Sequence, residues 1–352
     1  MQFWTLTNSS PTRAASAAKR AEAAGWDGIM VVDSQNLSGD SYVALTAMAL
    51  ATQSIGIGTG VTNPVTRHPA VTASAIAAVQ RLSEGRACLG IGRGDSALAH
   101  LGKAPATVRV LDGYLTAVQA YLRGEGVAFD ALDFAGSLAP DVKTLGLADT
   151  PETSQLKWLG DRDVKVPVEV ASTGPRVIET AARLGDRVMF ALGADLERLK
   201  WGVELALETA QREKRTVQLG AYLNIVCHDD VGVARQLVQG GLSTFARFSV
   251  MHGDVKGSIT PEQKQVLENL HSKYNMKQHT RTDSSQAQLM PPEFIDQYAI
   301  VGPPDQCIER IKAVAALGIS KVAVIGPSAG ADRDQSIAAE TNLAEKVLAQ
   351  FY

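Results

Sequence analysis

Apolar residues in this chain fall into short runs, and stretches of helical spacing alternate with them. Phe3 to Thr7 is a short apolar run, and Pro11 to Gly25 follows as an alanine-rich helical pattern ending on glycine. Gly28 to Asp33 is almost continuously apolar, as expected of a strand buried on both faces. Asp40 is placed to cap a helix to about Thr52, with Tyr42, Leu45, Met48 and Ala49 on one side. Ser54 to Pro69 opens as an alternating strand through Ile55, Ile57, Thr59 and Val61. It turns at Thr62-Asn63-Pro64 and hands over to a helix from about Pro69 to Ser83. Arg86 to Ile91 is a fourth strand, ending in Gly92-Arg93-Gly94-Asp95, and a helical pattern then runs from Pro105 to Leu122.

Gly126 to Lys165 interrupts the alternation and reads as an insertion, with a hairpin as one arrangement for it. Strands Val166 to Ala171, Asp186 to Leu192, Val217 to Cys227 and Lys321 to Ile325 then resume it. Between and after them lie helices from Gly174, Asp195, Asp230, Pro303 or Pro304, and Asp334. Gly253 to Pro292 is a second polar insertion, helical around Pro261 to Tyr274. Repeated β-α units predict a parallel sheet with right-handed crossovers. Eight units filling the chain, with no break in composition, predict a (β/α)8 TIM barrel. An open doubly wound sheet is the alternative. The expected organisation is one domain over 1–352 with insertions at about 126–165 and 253–292.

Composition narrows the function. Hydrophobic residues are 45% and charged residues 20%, enough for a large core. Lys plus Arg number 34 against 37 for Asp plus Glu, so neither nucleic acid nor an anionic membrane is an expected partner. No basic-then-apolar leader opens the chain, and no apolar stretch is long enough to span a bilayer. Cys88, Cys227 and Cys307 have no metal or disulfide spacing and read as buried thiols of a cytoplasmic protein. Metal-ligand clusters, a P-loop and a nucleophile elbow are absent from the sequence.

In a barrel the chemistry sits where strands hand over to helices. That face collects Thr7, Asp33-Ser34-Gln35, Thr62-Asn63, Arg93-Gly94-Asp95, Ser172-Thr173-Gly174, Gly193 and Gly326-Pro327-Ser328. Gly58 and Gly60 mark either a strained corner or a close backbone approach to a ligand. Ser172, Thr173, Gly174, Pro175 and Arg176 suit an anion at a helix start, and they equally suit simple capping. Asp33 and Asp95 are the carboxylates placed to orient a ring or move a proton. Their bland alternatives are helix caps or ion pairs with Arg67 or Arg93. Gly92-x-Gly94-x-x-Ala97 matches a dinucleotide fingerprint but follows the fourth strand instead of the first. His68 and His100 are candidate proton-transfer groups by residue type, and His68, beside Pro69, fits a structural role.

The stretch Thr59 to Ser74 (TGVTNPVTRHPAVTAS), with Gly85-Arg86 and Gly90-Ile-Gly-Arg-Gly-Asp95, resembles the bacterial-luciferase-like superfamily. Within it the sequence is most similar to the F420-dependent methylenetetrahydromethanopterin reductases. Ser172 to Pro175, Val301 to Pro304 and Val324 to Ser328 extend the likeness over most of the chain. The resemblance implies a TIM-barrel, F420-dependent oxidoreductase that is usually a homodimer and acts on a small molecule. It implies a non-prolyl cis peptide at Gly60-Val61 backing the cofactor ring. Ser34, Thr62 and Asn63 would line that ring, with Asp33 and Asp95 at the reaction face and Ser172 to Arg176 on the cofactor phosphate. Two departures stand out: Asp33-Ser34 replaces the Asp-His of related dehydrogenases, and Leu6 replaces a glutamate of the first strand. The alternatives are a reduced-FMN-dependent monooxygenase served by a separate flavin reductase, and a catalytically inactive cofactor-binding protein.

Overall fold

The protein was analysed as a computed structural model that describes residues 1–132, 139–160, 162–251 and 253–352. The strands are β1 (Gln2–Thr7), β2 (Gly28–Val31), β3 (Gly56–Thr59), β4 (Ala87–Ile91), β5 (Val168–Ser172), β6 (Arg187–Phe190), β7 (Gln218–Cys227), β8 (Ile300–Gly302) and β9 (Lys321–Ile325). β1 to β7 pair in sequence, all parallel, and β9 pairs with both β7 and β1. Those eight strands close the barrel. The three-residue β8 lies outside the ring, paired to the end of β7 at Ile225↔Ile300.

Period-2 alternation sorts every strand into two faces. Outward residues such as Phe3, Ile29, Val31, Ile57, Leu89, Val170 and Val188 form the large core under the surrounding helices. Inward residues form a separate cluster around Trp4, Met30, Cys88, Met189, Tyr222 and Ala323. Three alternate glycines of the third strand and its end face this interior. A Cβ on Gly56 would lie 2.6 Å from the Trp4 indole, one on Gly58 2.4 Å from Cys88 Sγ, and one on Gly60 2.8 Å from Met30 Cβ. The glycines therefore record crowding by large neighbours inside the barrel.

The floor of the barrel is charged. Glu169 of β5 accepts from Lys321 Nζ at 2.9 and 2.8 Å and from Arg187 Nε at 3.1 Å. Arg187 also donates to Leu219 O and Ser320 Oγ, tying β6 to the strands that close the ring. Lys321 Nζ sits 3.2 Å from the centroid of the Trp4 ring, a cation–π contact. All three charged residues are buried.

Helix starts follow the expected caps. Asp40 accepts from Tyr42 N and Val43 N ahead of Ser41–Ala51, while Asp195 and Asp230 cap Leu196–Arg212 and Val231–Phe248. Glu22 caps no helix; it clamps the turn before β3, accepting from the backbone N–H groups of Gln53, Ser54 and Ile55. The Ser54 N–H is the largest influence and, with the others, holds that carboxyl down at about 2. The helix Pro292–Tyr298 and β8 were not anticipated, because a seven-residue helix and a three-residue strand give too little pattern. The closing helix runs as Arg333–Asn342 followed by a wider π turn.

The insertions differ from expectation and from each other. The first carries turns at Phe129–Ala131 and Val142–Leu145 and an isolated antiparallel bridge Val127↔Ser154. Residues 133–138 of this insertion, for which a hairpin was one expected arrangement, lie outside the described residues. Arg81–Asp163 and Tyr121–Ser154 bonds fix this insertion at the carboxyl ends of helices Pro69–Leu82 and Val108–Leu122. In a β/α barrel that is the end opposite the strand tips, so these described parts of the first insertion lie away from the pocket there. The second insertion folds around helix Pro261–Lys273 and packs on Val231–Phe248 through Leu237, Leu267, Met290 and Phe294.

Removing the anion of a buried charge cluster strands its cations. Glu169→Gln is therefore expected to lose about 3–5 kcal/mol in urea unfolding, more than Lys321→Met, which leaves Arg187 paired. Wild-type stability in Glu169→Gln would show the cluster to be dispensable. The Glu22 clamp is present above the unfolded pKa of 4.5 and is lost as pH falls toward 2. Glu22→Gln should cost about 1 kcal/mol at pH 7, the difference closing between pH 4.5 and 2.

Candidate active site

A cavity of about 980 Å³ opens at the carboxyl ends of the strands. Its lining draws on every part of the ring: Leu6 near the end of β1, Asp33-Ser34 after β2, Gly60-Val61-Asn63 after β3, Gly92 to Ala97 after β4, Thr173 to Val177 after β5, Ala191 after β6, Tyr222 in β7, and Ile325 at the end of β9. The Gly60-Val61 peptide is cis, as the resemblance implies. Most of the wall is apolar, with Val61, Phe245, Phe248 and Met251 prominent.

Asp33 is buried, and its Oδ2 accepts from Thr62 Oγ1 at 2.7 Å and from Arg67 at 2.6 Å. Arg67 also bonds Asp40 and lies 4.9 Å from the Tyr42 ring centroid, so a capped helix holds the arginine in place. Burial, then the Asp33 charge, pushes the Tyr42 phenol up and keeps it neutral. The ion-pair alternative for Asp33 is thus realised with Arg67, yet its Oδ1 is buried with no partner. Thr62 spends its hydroxyl on Asp33 and does not line the cavity.

Asn63 turns its Oδ1 back to accept from Val65 N and Thr66 N, which fixes the amide orientation. Its Nδ2 is left buried, on a cavity-lining residue, with no acceptor. A buried acceptor on Asp33 and a buried donor on Asn63 are what a flavin-type pyrimidine edge, with its ring N–H and carbonyls, would satisfy. Ser34 also reaches the cavity, 3.3 Å from Ser96 Oγ.

At the β5 end, Gly174 occupies the N-cap of helix Pro175–Leu184 without any side-chain cap. The capping role considered for Ser172 and Thr173 is therefore not taken up. Ser172 is buried and donates to Val170 O, outside the cavity, whereas Thr173, Gly174, Pro175 and Arg176 line it. His68 accepts from Ala70 N as the cap of Pro69–Leu82, the structural role anticipated for it.

Asp95 pairs with Arg247 at 2.5 Å, a partner that sequence reasoning missed. Arg247 lies 4.5 Å from the Tyr274 ring centroid, and Tyr274 OH is 2.8 Å from His279 Nδ1 and 2.9 Å from Thr244 Oγ1. Tyr222 is the other omission: it lines the cavity, and its hydroxyl is buried without a partner. A signal existed for Arg247, a charged residue on the otherwise uncharged buried face of helix Val231–Phe248. No group of His, Cys, Asp and Glu among the described residues suits a metal ion. Removing Asp95 would leave a mostly buried guanidinium, so a double-mutant cycle on Asp95→Asn and Arg247→Met should give about 2 kcal/mol of coupling. Additive single losses would show that the two charges act separately.

The family description "luciferase-like monooxygenase" matches residues 2–321. A 5,10-methylenetetrahydromethanopterin reductase of Methanolobus tindarius is 27% identical over 326 residues, covering 91% of each chain. One from Archaeoglobus fulgidus is 28% identical over 331 residues, covering 91% of this chain and 90% of its own. The structure of the coenzyme F420 dependent tetrahydromethanopterin reductase from Methanopyrus kandleri superposes with a TM-score of 0.73 at 21% identity, over 100% of this chain and 99% of that one. The last likeness speaks for the barrel.

Proposed function

The chain belongs to the luciferase-like monooxygenase family, and from that premise we propose that it is a coenzyme F420-dependent oxidoreductase acting on a small organic substrate. The observation that carries this reading is the pair of unsatisfied buried groups, Asp33 Oδ1 and Asn63 Nδ2, beside Gly60-Val61. When bound, the deazaflavin supplies hydride chemistry. The choice of F420 over FMN is supported by the relatives, since those sharing nine-tenths of this chain are methylenetetrahydromethanopterin reductases.

In this reading Asp33 accepts from the ring and Asn63 donates to it. Thr62 and Arg67 keep the Asp33 carboxylate oriented. Gly60 and Val61 back the ring, and Ser34 and Asp95 lie at the reaction face. Thr173, Gly174 and Pro175 offer a helix N-terminus to the cofactor phosphate. Arg109 and Arg176 line the cavity without a carboxylate partner among the described residues, as an acidic cofactor tail requires. Ser172 contributes only through its place in the strand. The apolar wall excludes water from the reacting face.

A homodimer fits the exposed apolar side chains Val43, Leu50, Val71 and Leu82 on two neighbouring helices. No helix among the described residues is long and apolar enough to cross a membrane. Three buried free thiols fit a cytoplasmic setting.

Fluorescence titration of the purified protein with F420 and with FMN tests the assignment. F420 is expected to bind with the higher affinity, and Arg176→Ala to weaken it about tenfold, one charge-assisted contact. Tight FMN binding without F420 binding would replace this reading by the monooxygenase. F420 binding with no turnover on a broad panel would favour a cofactor-binding protein without activity.

A further inference from the structure

The sequence offers no histidine after β2, where Ser34 stands, and the two carboxylates of the reaction face are held in ion pairs, Asp33 with Arg67 and Asp95 with Arg247, so a hydride-transfer reading calls for another proton carrier. The second insertion brings one to the same cavity. His279 lines it together with Thr244 and Thr280. Its Nδ1 is held by Tyr274 OH at 2.8 Å, and Tyr274 OH is 2.9 Å from Thr244 Oγ1. Thr280 N in turn donates to Thr244 Oγ1 at 3.2 Å. The segment is pinned on its other side, where Thr282 N donates to Ala329 O at 3.0 Å. A Cβ on Gly240 would lie 2.5 Å from the Arg281 carbonyl carbon, so this helix glycine lets the segment press against Val231–Phe248. His279 Nε2 makes no hydrogen bond to the described residues.

We propose that His279 is the proton carrier of this site, its Nε2 exchanging a proton with the oxygen of a secondary alcohol or the corresponding ketone. The proposal rests on the F420 reading above. In the oxidising direction the substrate O–H bond breaks toward Nε2 and the C–H electron pair leaves as hydride to the oxidised deazaflavin. The C=O bond forms, and no further reactant is needed. In reverse, imidazolium returns the proton to the oxygen as the reduced cofactor gives up its hydride. Tyr274 holds the ring at Nδ1 and Thr244 holds Tyr274; with Nε2 as the base, Nδ1 carries the hydrogen and the Tyr274 oxygen accepts it.

The surroundings support both the role and the substrate class. Burial lowers the His279 pKa below its usual value; Asp95 opposes that, while Arg247 and His100 add to it. The ring is therefore neutral and basic at neutral pH, as proton removal from an alcohol demands. Arg247, whose charge reaches His279, is already matched by Asp95, and Phe245, Phe248 and Met251 line the same cavity. An uncharged, largely apolar alcohol or ketone suits that chamber.

The test compares wild type, His279→Asn and Tyr274→Phe in the full chain with F420, using cyclohexanol and a panel of secondary alcohols and ketones. F420 affinity, read by fluorescence, is expected to change less than about twofold in His279→Asn, while turnover falls about 10²–10⁴-fold. The wild-type rate should fall on an acid limb below pH 6.5, and that limb should vanish in His279→Asn and shift in Tyr274→Phe. A His279→Asn enzyme with wild-type rate and pH profile overturns the role. An enzyme that binds F420 but is inert to the whole panel overturns the substrate class. If F420 does not bind, the cofactor reading fails first, and histidine ¹⁵N NMR of the cofactor-free protein still decides the rest. A neutral His279 at pH 6.5 whose Nε2 shifts on adding cyclohexanone supports the proposal; an imidazolium, or no shift, overturns it.

Discussion

Glu169 sits inside the barrel between two cations, and the closure of the ring depends on how that charge is matched. Its partners come from β6 and β9, and Arg187 reaches onward to β7 and to Ser320 beside β9. The carboxylate is buried, so its desolvation is offset only if Lys321 and Arg187 stay in place. That requirement fixes the relative positions of strands that are far apart in sequence. Trp4 lies on Lys321 and fills the slot left by Gly28 and Gly56, linking the charge cluster to β1, β2 and β3. With the floor set, the opposite ends of the strands are set as well.

The candidate site is the consequence at that far end. Met30 and Cys88 occupy the level above Trp4, in register with Gly58, and force glycine along the third strand. The strand then leaves the barrel at Gly60-Val61 and presents Thr62 and Asn63. Thr62 and Arg67 use one oxygen of Asp33 and leave the other free for a ligand. On the same cavity Arg247 pairs with Asp95, and the second insertion adds Tyr274 and His279. The site is thus assembled from buried polar groups whose protein partners satisfy only part of their capacity.

Much of this was legible in the sequence, for identifiable reasons. Strands buried on both faces give continuous apolar runs, and aspartate caps such as Asp40, Asp195 and Asp230 announce helix starts. The corner at Thr62-Asn63 is specific enough to indicate its family. What escaped were interactions set by three-dimensional closure. Glu169 and Lys321 are 152 residues apart, and each looks like an ordinary polar strand position until the ring brings them together. Arg247 comes to Asp95 from helix Val231–Phe248, and His279 comes to the same cavity from the second insertion. The first insertion has similar composition but is tied to the opposite end by Arg81 and Tyr121. Ser172 and Thr62 were placed correctly along the chain, but their hydroxyls are directed to protein partners.

The central claim is that one ring-shaped cofactor bridges the ends of β3 and β5. Hydrogen–deuterium exchange of the full chain with and without saturating F420 tests it directly. The account predicts slowed exchange at the backbone amides of residues 60–63 and 173–177 together, with the barrel floor around Lys321 unchanged. Saturable F420 binding that protects neither stretch, or protects only a surface away from this cavity, would contradict it.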